Sequence, residues 1–381
     1  MQYINIIYII ILIFIVSFIL LRLLNRFWST QPVFHFYNIW FWLFPIGIIQ
    51  TNIPKKNKFY DKNIVCNTFN KISTEKKALL VPFIQRHYIS NNKNIKYFFD
   101  KEYILEHLKH QRTFSHISLQ YDLIKYKLIG CLTSRLLCGH INKKKFFISY
   151  LDFLCIHEKY IKGDFGYKQI LSHYIKSREN GAQPIFLFKR SKKLKLLVPL
   201  TTYKTFSFDA NKLNKINRFL PVNICCHTIK SYNFQLFKDF IEKIQKNFKC
   251  FIIPNFINIK NLINKNILFP FIIKDGLKVV AVIIYKKTCI KFKNKSVVNC
   301  VASYCSDGYE RIFKESITNT VVLLKKNILC DIINFENKSH NYLLINFLRK
   351  RFIPKGTLMF CYYFYNFIIR PQLSRQIFII D

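Results

Sequence analysis

At 381 residues the chain is long enough to bury one large core or two ordinary ones. With 51% hydrophobic and 17% aromatic residues it is not a disordered polymer; its size excludes a small disulfide scaffold, and 12 cysteines without a CxxC pair argue against a zinc framework. Lys and Arg number 60 against 20 acids, a formal charge of +40 that fits an anionic partner or the Lys/Asn/Ile/Phe-rich drift of an AT-rich coding sequence; no basic block alternates with aromatics, so nucleic acid is not expected as a partner.

From Met1 to Leu21 there is no charged side chain, and Arg22 and Arg26 follow. About 20 apolar residues cross a bilayer core as a helix. The segment lacks the basic start and small-residue cleavage site of a signal peptide. Arginines on its C-terminal side favour an outside amino terminus. The expectation is a single-pass anchor over 1–24, with the body facing the cytosol as reduced-thiol protein. The next apolar run, "NIWFWLFPIGIIQ" (Asn38–Gln50), is too short to span and is broken by Pro45, so it is expected to be buried or interfacial.

A Lys/Asn-rich linker over 52–76 precedes "ALLVPFIQRHY" and "EYILEHLKH", both read as helices. His107, His110 and His116 lie in "HLKHQRTFSH"; without clustered cysteines or acids they are read as solvated helix-end histidines, and no metal is expected. Two strand-like runs follow, "KLIGCLTSRLL" and "FFISYLDFLCIH", and then a helix, "YKQILSHYIKS". Further on the order recurs: "FPFIIKDGLKVVAVIIYKK" and "VVNCVASYC" as strands, then "SITNTVVLLKKN" as a helix. The recurrence predicts a repeated α/β unit and a mixed sheet flanked by helices, an α/β (α+β) fold.

Three stretches carry candidate chemistry. "KGDFGYKQILSHYIKS" (Lys162–Ser177) turns through glycines into a helix whose amides suit a pyrophosphate, or is an ordinary tight turn. Cys155 and His157 are two apart and so share a strand face. That spacing fits a Cys–His nucleophile pair or, the reading favoured, a core cysteine beside a strand-end histidine. The final "RQIFIID" is apolar up to Asp381 and is expected to be buried.

These pieces, in this order, resemble the glycylpeptide N-tetradecanoyltransferase (N-myristoyltransferase) family over nearly all of residues 25–381. "RFWSTQPV" is similar to that family's Phe-Trp-x-Thr-Gln-Pro-Val signature, and "LDFLCIH" to its Ile-Asn-Phe-Leu-Cys-Val-His strand. "TTYKTFSFDANKL" is a faded version of its Cys-Arg-Tyr-Trp-His-Arg-Ser-Leu-Asn-Pro-Lys-Lys-Leu segment. "FCYYFYNF" (Phe360–Phe367) echoes its Tyr-Tyr-Leu-Tyr-Asn-Trp strand. The resemblance implies two acetyltransferase-like (GNAT-like) halves with pseudo-two-fold symmetry, an acyl-CoA half over 25–215 and a peptide half over 216–381. It implies transfer of a myristoyl group from myristoyl-CoA to the N-terminal glycine of proteins, by a monomer without metal.

By that resemblance Phe27 and Trp28 border the acyl-CoA, and the amides of Phe153 and Leu154 stabilise the oxyanion from a strand that must bulge to release them. Cys155 and Ile156 continue that wall. Lys162, Gly163, Phe165 and Gly166 face the pyrophosphate, and Asp152, Phe99, Tyr203 and Thr205 face the peptide. The α-carboxylate of Asp381 deprotonates the amine, its basicity raised by desolvation from the apolar tail, and the Asp381 side chain puts a second carboxylate nearby. The family's Arg-Ser-Lys-Arg-Leu-Ala loop corresponds to "IKGDFG", with Ile161 and Asp164 in place of the arginines. Its Val-Glu-Asp-Asp-Asp run corresponds to "ISNNK" (Ile89–Lys93), and a family histidine to Thr205. These departures support an alternative expectation, a catalytically inactive protein that binds acyl-CoA or a lipidated peptide on the same fold.

Overall fold

The computed structural model describes residues 2–88, 94–109, 115–122, 124, 126–215 and 220–381; the "ISNNK" stretch and His110 lie outside them. The apolar start forms one helix, α1 (Gln2–Leu24), long and apolar enough to cross a membrane; no side chain from Asn5 to Leu24 is fully buried, and Leu21 packs against the core. The short helix α2 (Ile39–Leu43) follows, and β1 (Gly47–Ile48). The Asn38–Gln50 run is not buried. Trp40 keeps 70% of its surface, because five apolar residues in one short helix face all directions while the backbone is fixed to the outside of the body.

Strand β2 (Val65–Thr68), helix α3 (Thr74–His87), strand β3 (Ile95–Tyr97) and helix α4 (Lys101–Lys109) lead into the first repeated unit. In it β4 (His116–Asp122), β5 (Lys127–Ile141) and β6 (Lys144–Ile156) are antiparallel, α5 (Phe165–Glu179) crosses over, and β7 (Phe186–Arg190) returns parallel to β6. A connecting region holds β8 (Thr201–Asp209), α6 (Ala210–Asn214), β9 (Ile224–Thr228), α7 (Phe234–Ile244), β10 (Cys250–Ile253) and α8 (Phe256–Asn264).

The second unit repeats the first. Strands β11 (Leu268–Asp275), β12 (Lys278–Phe292) and β13 (Lys295–Cys305) are antiparallel, α9 (Glu310–Glu315) and α10 (Ile317–Asn327) cross over, and β14 (Ile332–Glu336) is parallel to β13. Gly276, at φ +54°, makes the tight β11–β12 turn. After α11 (Asn341–Arg349), β15 (Gly356–Tyr365) enters the sheet, followed by β16 (Phe367–Ile368) and β17 (Ile377–Ile379).

One mixed sheet joins both units in the order β17-β10-β5-β6-β7-β15-β8-β14-β13-β12-β11-β9. The fold is therefore α/β with two repeated units in one mixed sheet, as expected. Strands β8 and β15 form the seam between them. Strands β10 and β17, late in the sequence, add to the first unit beside β5. An apolar core under α3, α4, α7 and α8 includes Leu80, Ile104, Phe237 and Leu262; another under α10 and α11 includes Val321 and Leu344. His107 and His116 are buried, not solvated. The amphipathic face of α4 carries His107 inward, where its Nδ1 lies 2.7 Å from the Tyr103 carbonyl oxygen.

Candidate active site

The site is built where two parallel strands part. Strands β6 and β7 pair only through Ser149–Phe186 and Tyr150–Leu187. Beyond Tyr150 the Leu151–Ile156 edge of β6 is released from β7. Its pairing with β5 also slips there, passing from Thr133–Asp152 to Cys131–Cys155, so that Phe153 and Leu154 stand opposite the single residue Leu132. Phe153 takes φ +50°, a left-handed conformation uncommon for a bulky residue. The strand that was expected to bulge does so at the expected residues.

The bulge has two sides. Phe153 is buried against Phe99 and Tyr88, with ring centroids 5.4 and 6.2 Å away, while Leu154 is exposed. The Phe153 N–H donates to Oδ1 of Asp152 at 3.0 Å, and Oδ2 of Asp152 lies 4.0 Å from the Arg135 guanidinium. Burial raises the Asp152 carboxyl above its usual range, with Arg135 opposing.

Next to the bulge lies a cluster of buried charges. The tail from Ile377 to Asp381 is buried as expected, held by β17 against β10. Oδ2 of Asp381 accepts from the Tyr150 hydroxyl at 2.9 Å and lies 3.5 Å from Nζ of Lys189. Its main-chain oxygen accepts from Nζ of Lys286. Lys189 also pairs with Glu336 at 2.8 Å, and so does Lys338. The Tyr203 hydroxyl donates to Glu336 at 3.1 Å.

Burial would raise the Asp381 side chain, but Lys189, Lys338 and Lys286 hold it well below the carboxylate range. Glu336 is likewise lowered by Lys189 and Lys338 against its burial. Lys189 is raised by Asp381 and Glu336, which outweigh its burial. Burial dominates for Lys286, whose ammonium is pushed down to about 8 despite Asp381. Asp381 thus stands among lysines as well as apolar residues, and its side chain is a second carboxylate beside the main-chain one, held low by those lysines.

The other expected residues fall into two groups. Phe99 and Asp152 meet the bulge, while Tyr203 and Thr205 are buried on β8, where Thr205 pairs in register with Glu336. Phe27 and Trp28 are buried further off. The Phe27 ring stacks on Tyr167 of α5 at 4.5 Å, and the Trp28 ring on Phe188 of β7 at 5.6 Å. Thr30 and Gln31 bond the Phe27 carbonyl, and Gln31 accepts from the Tyr365 hydroxyl at 2.6 Å. The two aromatic motifs of the sequence are therefore packed together.

Lys162 and Gly163 are exposed, and Phe165 and Gly166 begin α5 with no side chain capping that end. A Cβ at Gly166 would meet nothing within 4 Å, leaving the helix N-terminus open to an anion. Cys155 is buried beside Cys131, Ile156 is half-buried, and the His157 ring lies 4.4 Å from that of His87. No hydrogen bond joins Cys155 to His157 among the described residues, in keeping with the core-cysteine reading. A cavity of about 530 Å³ adjoins the signature at Thr30, Gln31 and Pro32; none of its lining residues belongs to the bulge or the charge cluster. Among the described residues no group of three potential ligands gathers for a metal.

Sequence reasoning missed Arg135, Tyr150, Lys189, Lys286, Glu336 and Lys338. A signal was present: charges interrupt or close apolar strands in "LTSRLL", "IFLFKR", "VIIYKK" and "INFENK". A charge within such a run is either at a solvent edge or buried with a partner. Only the fold shows that these four runs converge.

The sequence matches no protein-family model and no curated protein sequence. The fold does match solved structures. Saccharomyces cerevisiae N-myristoyltransferase with bound myristoyl-CoA superposes with a TM-score of 0.71 at 13% identity, covering 92% of this chain and 94% of that one. The same yeast protein with bound myristoyl-CoA and inhibitors gives 0.71 at 14% identity, covering 93% of each chain. This chain has the fold of those N-myristoyltransferase structures over nearly its whole length.

Proposed function

We propose that this chain is a membrane-anchored protein N-myristoyltransferase, moving the acyl group of myristoyl-CoA to the N-terminal glycine amine of proteins. The observation that carries the reading is the bulge at Phe153 and Leu154, located where β6 leaves β7 and bordered by Asp381 through Tyr150. On a fold matched to N-myristoyltransferase, that edge offers main-chain donors for an acyl oxygen beside carboxylates for an amine.

In this reading residues 25–215 hold the acyl-CoA. Its pyrophosphate lies against Lys162 and the amides from Gly163 to Gly166, its pantetheine arm near Phe27, Trp28, Cys155 and Ile156. Residues 216–381 contribute most of the peptide side, with Phe99, Asp152, Tyr203 and Thr205 lining it. The amine attacks the thioester carbonyl carbon as a C–N bond forms, and the electron pair moves to the oxygen held by the Phe153 and Leu154 amides. The C–S bond then breaks. One proton of the incoming ammonium goes to the Asp381 main-chain carboxylate; the thiolate takes the second and leaves as the CoA thiol. Helix α1 anchors this monomer with its body in the cytosol, where a newly attached myristoyl chain, which binds membranes only marginally, is delivered at the surface.

A second reading is favoured by one observation: a carboxylate, Asp152, occupies the Phe153 amide. A protein that binds acyl-CoA or a lipidated peptide without turnover would tolerate that contact. The deciding experiment incubates the purified full chain in detergent with myristoyl-CoA and a panel of Gly-initiated peptides, followed by mass spectrometry. Acylation of the N-terminal glycine establishes the transferase; acyl-CoA binding without product establishes the binder.

A further inference from the structure

We infer that the segment from Phe36 to Ile46 is a second membrane contact, a rigid apolar patch lying in the bilayer interface beside α1. The inference rests on the anchoring role proposed for α1, and is independent of the acyl-transfer chemistry. Phe36, Ile39, Trp40, Leu43, Phe44 and Ile46 expose between 47% and 71% of their surfaces, all within eleven residues. Contiguous exposed apolar surface of this kind marks a contact, unlike scattered single residues.

The patch is fixed in place although its side chains are exposed. Arg370 donates from Nε and Nη2 to the carbonyl oxygens of Trp42 and Leu43, each at 3.2 Å. The Trp42 indole N–H donates to the Phe36 carbonyl at 2.9 Å, and Asn38 caps the helix. Phe34, buried, packs its ring 4.9 Å from that of Trp42. Arg370 satisfies the last carbonyls of α2, so this helix end needs no water there. A backbone tied to the body presents apolar side chains outward.

Lipid is the occupant because the patch is continuous with the spanning helix. The Tyr37 ring meets Phe18 of α1 edge-on at 5.0 Å, and the Arg22 guanidinium lies 5.7 Å over Phe18. The chain therefore leaves the membrane near Arg22 and presents the patch beside the same helix. Tryptophan with flanking aliphatics is the composition that settles at the headgroup boundary. Two contacts, one spanning and one lying flat, would fix the orientation of the body where a single helix alone leaves it free to swing.

The test uses the full chain reconstituted in phosphatidylcholine vesicles, with tryptophan emission as the readout. The patch holds Trp40 and Trp42, and Trp28 is buried in the body. Phosphatidylcholine brominated near the headgroup end of its acyl chains should lower the emission at least about two-fold, the depth expected of an interfacial segment. Trp40→Phe should remove a large part of the quenched component, and aqueous iodide should quench little of the wild-type emission. A chain that floats with the vesicles but shows iodide quenching and no bromolipid quenching overturns the patch while leaving the anchor standing. So does protection of Trp40 only in cross-linked dimers, which would assign the patch to a second copy. A chain that fails to float overturns anchor and patch together.

Discussion

Oδ1 of Asp152 accepts the amide proton of Phe153 at 3.0 Å, so the donor that the bulge releases from the sheet is already engaged by its neighbour's carboxylate. An oxyanion forming there must displace a negative charge as well as fill a hydrogen bond. Replacing Asp152 with Asn keeps the shape and removes the charge. We predict that Asp152→Asn raises kcat with Gly-initiated peptides by about three- to tenfold, a fraction of the roughly hundredfold or more that one oxyanion-hole donor supplies. A fall in kcat would instead make Asp152 a productive contact for the incoming ammonium.

Lys286 donates to a main-chain oxygen of Asp381, the group to which the proposed mechanism assigns the amine's proton. Its ammonium, lowered to about 8 by burial, bonds the Asp381 main-chain oxygen with Arg135, Asp152 and Lys189 as charged neighbours and His107 close by. Loss of the Lys286 charge as pH rises through about 8 weakens its hold on that oxygen, so turnover should rise through the same interval. The substrate's own amine titrates nearby, so the variant matters. Lys286→Arg stays cationic and should lower kcat at least about tenfold and abolish the Lys286 part of the rise. Unchanged kcat and pH profile in that variant would remove Lys286 from the account.

Glu336 and the Asp381 side chain have lowered folded pKa values, held down by Lys189 and Lys338 against burial. A depressed acid contributes stability that is complete above its unfolded pKa, about 4, and is lost as pH falls through its lower folded value. Glu336→Gln leaves the fully buried Lys338 and its neighbour Lys189 without that carboxylate. It should cost about 3–5 kcal/mol at neutral pH and flatten the acid limb, both readable by denaturant melts across pH.

The contact between Gln31 and Tyr365 joins the start of the folded body to its last long strand. Tyr365→Phe leaves the Gln31 carbonyl buried without this donor. The expected loss is about 1–3 kcal/mol, with a lowered melting temperature. An unchanged melting temperature would show that the signature is held by ring packing alone.

Much of the fold was legible because its signals are local. The "KDGLK" turn announces the β11–β12 hairpin, and the repeated strand–strand–helix order announces the two units. The bulge at Phe153 was legible only through resemblance, since nothing in "LDFLCIH" by itself asks for a positive φ. The charge cluster was not legible. Arg135, Lys189, Lys286 and Glu336 come from four strands spread over some of the longest sequence separations in the chain, and each alone looks like a solvated charge. "NIWFWLF" shows a different limit. Apolarity says that a segment leaves water; it does not say whether it enters protein or lipid. His107 was misread as solvated because the helix end was judged by polarity, where the apolar face of α4 decides.

The most direct measurement is N-terminal glycine acylation by the full chain, compared with the same chain carrying one added alanine after Asp381. The account predicts myristoylated peptide from the first and acyl-CoA binding with little or no product from the second, because the added residue removes the carboxylate beside Lys286. Equal product from both would contradict the role given to Asp381. No product from either, with acyl-CoA still bound, would contradict the transferase and leave a binding protein on this fold.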